Sequence, residues 1–384
     1  MNSKVSKNLL VWFLALMAAM LTVLPLKSAF ASNLQSPVIT MSPVIPTNQA
    51  HENEGFWDLV MQPGTSQTLE VKISNSSSVD YTLNTAVTNA TTSANGQVIY
   101  IPNSKDKGKA VVNYQDNVSV AKSVTVPAKG SITVPITVNM PNNDINGVAA
   151  GAVVFTESDS LVKASKASKA STSDSSQVAN RFQYSLGLVM RQHGESDIIP
   201  ADLTMDSAAM KTYYAHTVVD AHLVNHAAGF VNNMYVDAKV TGPTDFTYEN
   251  AQMQMAPNSD FHLQMPALNK KNYDINLKPG KYTLKMVVYG DQKADGQYKA
   301  ALPNKGTANY GQRWTFTRHF TVSAKKANNI NKQSGYQTPK SYTWIWITIV
   351  IVLMLLVSGL GYWIRNSRKR MAAIKAENER LKRG

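Results

Sequence analysis

Across residues 132–140 every second residue is apolar: Ile132, Val134, Ile136, Val138 and Met140 alternate with Thr133, Pro135, Thr137 and Asn139. A period of two lays one apolar row on one face of a pleated strand, and the 3.6-residue period of a helix cannot accommodate it. The pattern recurs at Leu69, Val71 and Ile73, and at Phe182, Tyr184, Leu186, Leu188 and Met190. It recurs again at Met234, Val236, Ala238 and Val240, and at Tyr282, Leu284, Met286 and Val288; Trp314, Phe316, Phe320 and Val322 close the series. Turn pairs fall between these runs: Pro63-Gly64, Asn95-Gly96, Asn146-Gly147 and Pro279-Gly280. Short strands at this spacing predict an all-β fold of two Ig-like antiparallel β-sandwiches, with no long amphipathic helix between residues 36 and 324. Pro135 has no N–H to give a ladder, so its strand is expected at an edge or a bulge.

Two apolar segments bracket the β-rich stretch. Residues 9–26 follow Lys4 and Lys7 and lead to Ala29-Phe30-Ala31, a small-x-small cleavage pattern, so residues 1–31 read as a signal peptide. Residues 344–364 are 21 uncharged, mostly apolar positions. As a helix they extend about 31 Å, enough to cross a bilayer core. Tyr342, Trp344 and Trp346 suit the outer interface, and Tyr362 and Trp363 the inner one. Arg365, Arg368, Lys369 and Arg370 follow at once, which by the positive-inside rule keeps residues 365–384 in the cytoplasm. The mature chain, from Ser32, is expected to be a single-pass cell-membrane protein whose folded part lies outside the cell, facing the wall.

The formal charge is +13. The leader's three lysines and the tail's surplus of six positive charges account for most of it and leave +4 on the segment between. A basic groove for nucleic acid is therefore excluded. The tail's charge serves topology and attraction to anionic lipid. Cysteine is absent, so an exported chain of this kind must be held by core burial alone. An ectodomain of 312 residues is long enough for two cores. An exported, cysteine-free chain with one span suits a Gram-positive envelope.

Composition divides the ectodomain. Residues 36–158 read as a first sandwich. Residues 159–179, with Lys-Ala-Ser repeated from Lys163, read as a low-complexity loop or linker. A strand over 181–191 either completes the first sandwich as a hairpin across that loop or opens the second, which runs over 180–323. Residues 324–343, rich in Asn, Lys, Gln and Ser, read as a stalk above the membrane. In the tail, Met371, Ile374 and Leu381 share one helical face. The two units look related in plan: Val71-Lys72-Ile73-Ser74-Asn75 and Ala221-His222-Leu223-Val224-Asn225 each end a strand on Asn before a small-residue turn.

No catalytic constellation stands out. There is no nucleophile elbow, no His-Glu-x-x-His and no phosphate-binding glycine loop. His216, Asp220, His222 and His226 share a parity, but the opposite row, Thr217, Val219, Ala221 and Leu223, makes the better apolar face. The expectation is a solvent-facing strand; a metal site is the weaker reading, since a complete ligand set is not visible, and a pH-sensitive surface ranks only a little above it. Asn142-Asn143-Asp144 lacks the spacing of a calcium loop and reads as a turn. Leu302-Pro303-Asn304-Lys305-Gly306 has lysine where a sortase signal needs threonine, and lies far upstream of the span. No catalytic, cofactor or metal residue is nominated. Gly55-Phe56-Trp57-Asp58-Leu59, ahead of Met61-Gln62-Pro63-Gly64, has two readings: a strand entering a tight turn with Phe56 or Trp57 in the core, or an exposed Trp stacking on a sugar ring.

Three segments together resemble a known family. Ser42-Pro43-Val44-Ile45-Pro46-Thr47-Asn48-Gln49, Phe56-Trp57-Asp58-Leu59 and Pro63-Gly64-Thr65-Ser66-Gln67-Thr68-Leu69-Glu70-Val71 are similar to the first domain of the WxL-interacting proteins. That family's pattern is Pro-Ile-x-Pro-x-Asn-Gln, then Tyr-Phe-Asp-Leu, then Pro-Gly-Gln. Residues 145–155, with Gly147 and Gly151, resemble that domain's closing glycine-rich strand. Met255-Ala256-Pro257-Asn258-Ser259, Leu277-Lys278-Pro279-Gly280-Lys281-Tyr282 and Trp314-Thr315-Phe316 resemble its second domain. Trp57 stands where the family commonly has Phe, and Ile45-Pro46-Thr47 varies the entry.

The resemblance implies a Gram-positive surface protein with a peptidoglycan-binding first domain and a second domain that binds host or matrix proteins, the whole assembling with WxL-domain proteins on the wall. It implies no catalytic residues. Candidate binding residues, on motif position, are Phe56, Trp57, Asp58, Pro63, Gly64, Met255, Pro257 and Asn258. The favoured function is a non-enzymatic, membrane-anchored adhesion or scaffold protein. The alternative is a single-pass receptor signalling through its basic tail. A wall hydrolase would need paired carboxylates in a cleft, and no pair can be nominated.

Overall fold

The computed structural model describes residues 38–51, 54–102, 110, 112–159, 181–269, 273–303, 306–334 and 343–381. The signal peptide at 1–31, the Lys-Ala-Ser repeats from Lys163 and the last part of the expected stalk, 335–342, lie outside them.

The first sandwich contains β1 (Ile39–Val44), β2 (Trp57–Val60), β3 (Ser66–Asn75), β4 (Tyr81–Asn89), a one-turn helix α1 (Tyr114–Asn117), β7 (Val118–Val120), β8 (Ser123–Val126), β9 (Ser131–Asn139), β10 (Ala149–Glu157) and β11 (Gln183–Arg191). One sheet runs β1-β3-β9-β7 and the other β2-β11-β10-β4-β8. The alternation read from the sequence sets the layers: Leu69, Val71 and Ile73 of β3 and Val134, Ile136 and Val138 of β9 face Trp57, Leu59, Val153, Phe155, Leu188 and Met190 across one core. Pro135 lies on an inner strand, opposite Glu70. The short β7 covers only Ile136, Thr137 and Val138, so at Pro135 the ladder has a neighbour on one side only.

The strand over 183–191 belongs to this first sandwich. β11 pairs antiparallel with β10, from Ala149↔Met190 to Thr156↔Gln183, and parallel with β2. The second sandwich therefore starts at β12, not at residue 180. β10 is buried along almost its whole length, because both its faces are covered, and its residues are small where space is shortest. A Cβ on Gly151 would sit 2.4 Å from the Tyr114 ring. The Tyr114 hydroxyl donates to the carbonyls of Ala149 and Leu188, at 2.9 and 2.8 Å, and burial pushes its pKa well above the ordinary value.

The second sandwich contains β12 (Leu203–Tyr213), β13 (His216–Asn225), β14 (Val231–Thr241), β15 (Phe246–Met255), β16 (Asp260–Pro266), β17 (Gly280–Gln292), β18 (Tyr298–Ala301) and β19 (Thr307–Val322). Its sheets are β12-β13-β16 and β15-β14-β17-β19-β18. The core is rich in methionine, with Met205, Met210, Met234, Met253, Met255, Met265 and Met286 among Val, Leu and Phe, flexible side chains that fill irregular gaps.

A helix α2 (Ala324–Gln333) follows β19 directly, capped by Ser323. It corrects the first half of the expected stalk. Ala327 and Ile330, one turn apart, enter the second core, and Asn331 accepts the Leu277 N–H and donates to the Leu277 carbonyl, both at 2.9 Å. The last helix, α3 (Thr343–Leu381), carries the apolar segment and continues unbroken through the basic tail. Its part over Ile347–Ala372 is long and apolar enough to cross a membrane.

Candidate functional site

The two sandwiches meet over the outer face of the β2-β11-β10-β4-β8 sheet. Two short strands, β5 (Thr91–Thr92) and β6 (Val98–Ile99), form a hairpin that reaches from the first sandwich to the second. Its turn accepts the Gln254 N–H at the Gly96 carbonyl, 2.8 Å, and the Gln264 N–H at Ala94, 3.3 Å. Thr92 Oγ1 lies 2.8 Å from Ser259 Oγ and accepts the Ala256 N–H at 3.0 Å. On the other side of the junction Val148 N donates to the Ala228 carbonyl at 2.8 Å. Gly147 permits that approach: its φ is +133°, and a Cβ would lie 2.5 Å from the Ala228 oxygen. Ala90, Val148, Ala150, Val189 and Ala256 fill the seam.

Beside the seam the sandwiches leave a cleft of about 940 Å³, a size usual for small-ligand sites. Phe56, Tyr100 and Phe230 give it aromatic walls, and Asn232, Gln254 and Gln312 give it amide groups. Gly187 keeps one wall low; a Cβ there would sit 3.3 Å from Phe56 Cβ and 3.5 Å from the Tyr100 hydroxyl. Burial raises the Tyr100 pKa above its ordinary value.

The Phe56 wall is held by the residues ahead of it. Asn48 donates to the Val60 carbonyl at 2.9 Å and pairs with the Gln67 side chain. Gln49 donates to the Phe56 carbonyl and accepts the Asp58 N–H, each at 3.1 Å. These bonds clamp Asn48 and Gln49 to Phe56, Asp58 and Val60. Asp58, 3% exposed, lies on the outer face opposite Val189, two residues from Arg191 on the same face. Arg191 Nε reaches Asp58 Oδ1 at 2.9 Å and its Nη2 reaches Oδ2 at 2.5 Å, a bidentate pair. His51 Nδ1 lies 3.0 Å from the same Oδ2.

His51, Glu54 and Asp58 offer ligand atoms within 4.8 Å of one another. Arg191 already uses both Asp58 oxygens and supplies the positive charge an ion would bring. One carboxylate oxygen of Glu54 is shut off from solvent and has no hydrogen-bond partner among the described residues, and Glu54 lines the cleft. At the rim, Asp197 accepts the backbone N–H groups of Gln192 and His193, both at 2.7 Å, and lies 3.1 Å from His193 Nδ1. Burial raises its pKa, but those hydrogen bonds outweigh it and leave the carboxyl below its ordinary range.

Of the candidate residues, Phe56 and Asp58 line this cleft. Trp57 does not: it is fully buried on the opposite face of β2, with Nε1 donating to the Val44 carbonyl at 3.0 Å, so the exposed-Trp reading fails. Pro63 and Gly64 form the exposed β2–β3 turn, with Gly64 at φ +72°. Met255 is inside the second core. Pro257 and Asn258 are buried beside Val148 and Ala228, and the Asn258 N–H donates to Ala227. Their motif serves the junction. Arg191, Tyr100 and Phe230 were not legible as site residues; the sole signal was a charged residue closing an apolar strand at Arg191.

The His-rich strand is the middle one of its sheet, not a freely solvated face. Asp220 is buried and accepts Gln264 Nε2 at 2.6 Å, with Lys211 Nζ at 3.0 Å and His262 Nδ1 at 2.8 Å. Burial raises its pKa and these hydrogen bonds lower it further than burial raises it. His222 stacks on His262, ring centroids 4.5 Å apart, and pairs with Asp260 at 2.7 Å.

Residues 40–157 match the family model described as WxL Interacting Protein, peptidoglycan binding domain, and residues 173–332 the one described as WxL Interacting Protein, host binding domain. The second match begins ahead of β11, although that strand completes the first sandwich. No curated protein matches the chain. Among solved structures, similar ones include the CupB2 chaperone of Pseudomonas aeruginosa, at 11% identity over 67% of this chain and 95% of that one, with a TM-score of 0.25. The CsuC–CsuE chaperone–tip subunit pre-assembly complex of Acinetobacter baumannii pairs at 12% identity over 62% and 93%, TM-score 0.30. The E. coli chaperone DraB pairs at 12% over 69% and 94%, TM-score 0.25.

Proposed function

The chain belongs to the WxL-interacting protein family, and from that premise we propose that it is a membrane-anchored, non-enzymatic scaffold or adhesin of the cell surface. Its first sandwich holds wall peptidoglycan, it assembles with WxL-domain surface proteins, and its second sandwich offers a face to host matrix proteins. α3 anchors it in the membrane with the basic end inside, as the arginines and lysine at 365, 368, 369 and 370 favour.

The observation that carries the glycan reading is the cleft at the junction. Peptidoglycan strands are rich in hydroxyl and amide groups on apolar ring faces. The cleft matches them with aromatic walls, three amide side chains and the Glu54 carboxylate on its lining. Its charges are otherwise paired: Arg191 with Asp58, and Lys293 with Asp291 at 3.4 Å. Both sandwiches line it, so a bound strand would bridge them.

The test uses the full chain in detergent as bait against a surface extract of the producing cells, with a parallel tube of purified peptidoglycan. Capture of a WxL-domain protein together with sedimentation on peptidoglycan is the expected result. Neither binding in either tube would defeat the scaffold reading.

A further inference from the structure

The strands of β12-β13-β16 run from the domain junction to the opposite end of the second sandwich. Asn225 and Ser259 lie at the junction, and Tyr213, His216 and Pro266 at the far end. The other sheet has the same polarity, with Thr241, Gly280 and Val322 at the far end. α2 leaves β19 there, and its Asn331 is tied to Asn276 and Leu277 at that end. The chain thus departs toward α3 from the end farthest from the first sandwich. Only the eight residues 335–342 separate Ser334 from the start of α3 at Thr343. Whatever path they take, they allow at most about 30 Å.

That end carries an aromatic tip. The β12–β13 connection is the two-residue turn Tyr214-Ala215, with φ +44° and +62°. Hairpin turns with two positive φ values favour Asn-Gly, and a bulky side chain there is strained. Yet Tyr214 is 83% exposed, and the ring contact given for it is with its own neighbour, not with the core. Tyr213 stands edge-on to it, ring centroids 4.5 Å apart. Tyr273 is 68% exposed and is brought alongside by Asp274, which accepts the Thr217 N–H at 3.0 Å and meets His216 Nδ1 at 2.9 Å. Around the tip the exposed charges are mostly basic: Lys278 and Lys281 by β17 and Lys325, Lys326 and Lys332 on α2, against the exposed Asp245.

We propose that this end of the second sandwich rests on the outer surface of the membrane, the three tyrosines entering the headgroup layer and the lysines meeting anionic lipid. Tyrosine suits that layer because its ring is apolar and its hydroxyl wet. Clustered lysines near the surface are drawn to anionic headgroups. The short connection keeps the tip within reach of the bilayer, and the strained turn holds an exposed aromatic ring where the fold itself has no use for it. The contact would set the ectodomain upright, with the first sandwich directed outward to the wall. The inference rests on α3 being a membrane anchor.

The chain has no cysteine, so Ala215→Cys and, as a control in the first sandwich, Ala121→Cys can each carry a single environment-sensitive fluorophore in the full protein. The protein is reconstituted into vesicles of phosphatidylglycerol and phosphatidylcholine containing a lipid spin-labelled at the headgroup. The expected result is quenching at residue 215 but not at 121, lost when Tyr214 and Tyr273 are both changed to Ser. A protein that floats with the vesicles but is unquenched at 215 overturns the contact alone, and makes the tip a protein-facing surface. A protein that does not float with the vesicles overturns the anchor and the contact together.

Discussion

At the residue scale, the pair Asp58–Arg191 decides most. Both side chains are nearly shut off from solvent, and each is satisfied chiefly by the other. Removing one partner leaves an uncompensated buried charge, which costs about 3–5 kcal/mol. Arg191→Leu should therefore lower stability by that amount in urea unfolding, and Asp58→Leu with Arg191→Leu should cost less than Arg191→Leu alone. A single change costing under about 1 kcal/mol would mean that water reaches the pair. Asp197 gives a pH-dependent counterpart. Its carboxyl titrates below the ordinary range when folded, so the ionised form is the one the fold favours. Its contribution is complete above the ordinary Asp range and is lost as pH falls through the lowered folded value. Asp197→Asn should destabilise by about 1–2 kcal/mol at neutral pH, and the gap to the parent should close in acid. A gap that persists unchanged in acid would show that the carboxylate charge is not what matters. The sequence left two readings of the aromatic–acid segment at the first domain's entry, and the structure has Trp57 in the core and Phe56 on the cleft wall. Trp57 and Phe56 are adjacent, and strand parity sends one to the core and the other to the cleft. Parity was readable; which parity faced inward was not, because Asp58 finds its partner 133 residues away.

At the element scale, the alternating strands were legible because half-buried antiparallel sheets impose a period of two. β10 was legible through its resemblance to the family's glycine-rich closing strand, and the structure shows why it is small: its Ala-Ala-Gly-Ala run is squeezed between Tyr114 and the second sandwich. The owner of β11 was not legible, since pairing across a long connection leaves no local mark. It follows that a fragment ending at residue 159 lacks the strand between β10 and β2. That fragment should show no cooperative melt by circular dichroism, whereas one ending at residue 199 should melt cooperatively. Equal melts for both would remove β11 from the folding unit. α2 escaped notice because it buries only Ala327 and Ile330 within a polar sequence that otherwise reads as a tether. The paired strand ends on Asn75 and Asn225 turn out to be one device used twice. Asn75 donates to the carbonyls of Val79, Val126 and Pro127, and Asn225 to those of Gly229 and Ala256. Each amide oxygen accepts an N–H two residues on. A buried amide that satisfies several corner carbonyls is expensive to lose, which is why both sandwiches keep it.

At the scale of the whole molecule, the junction is the feature that sequence reasoning could not reach. The motif over residues 255–259 was readable as characteristic of the second domain, but its use is to seat that domain on the β5–β6 hairpin. Two sandwiches joined by backbone hydrogen bonds, a seam of alanines and valines and the Thr92–Ser259 contact should act as one lever. In the proposed arrangement one end approaches the membrane and the other the wall, with the cleft between them. The most direct test of this account is binding of the full chain in detergent to purified peptidoglycan, measured by co-sedimentation for the parent, Phe56→Ala, Glu54→Gln and the exposed edge-strand control Val44→Ala. Phe56→Ala should weaken binding by roughly threefold to tenfold, as expected for loss of one aromatic contact. Glu54→Gln should weaken it as well, and Val44→Ala should bind like the parent. Parent-like binding by both cleft variants would contradict the account and move the glycan site elsewhere on the first sandwich.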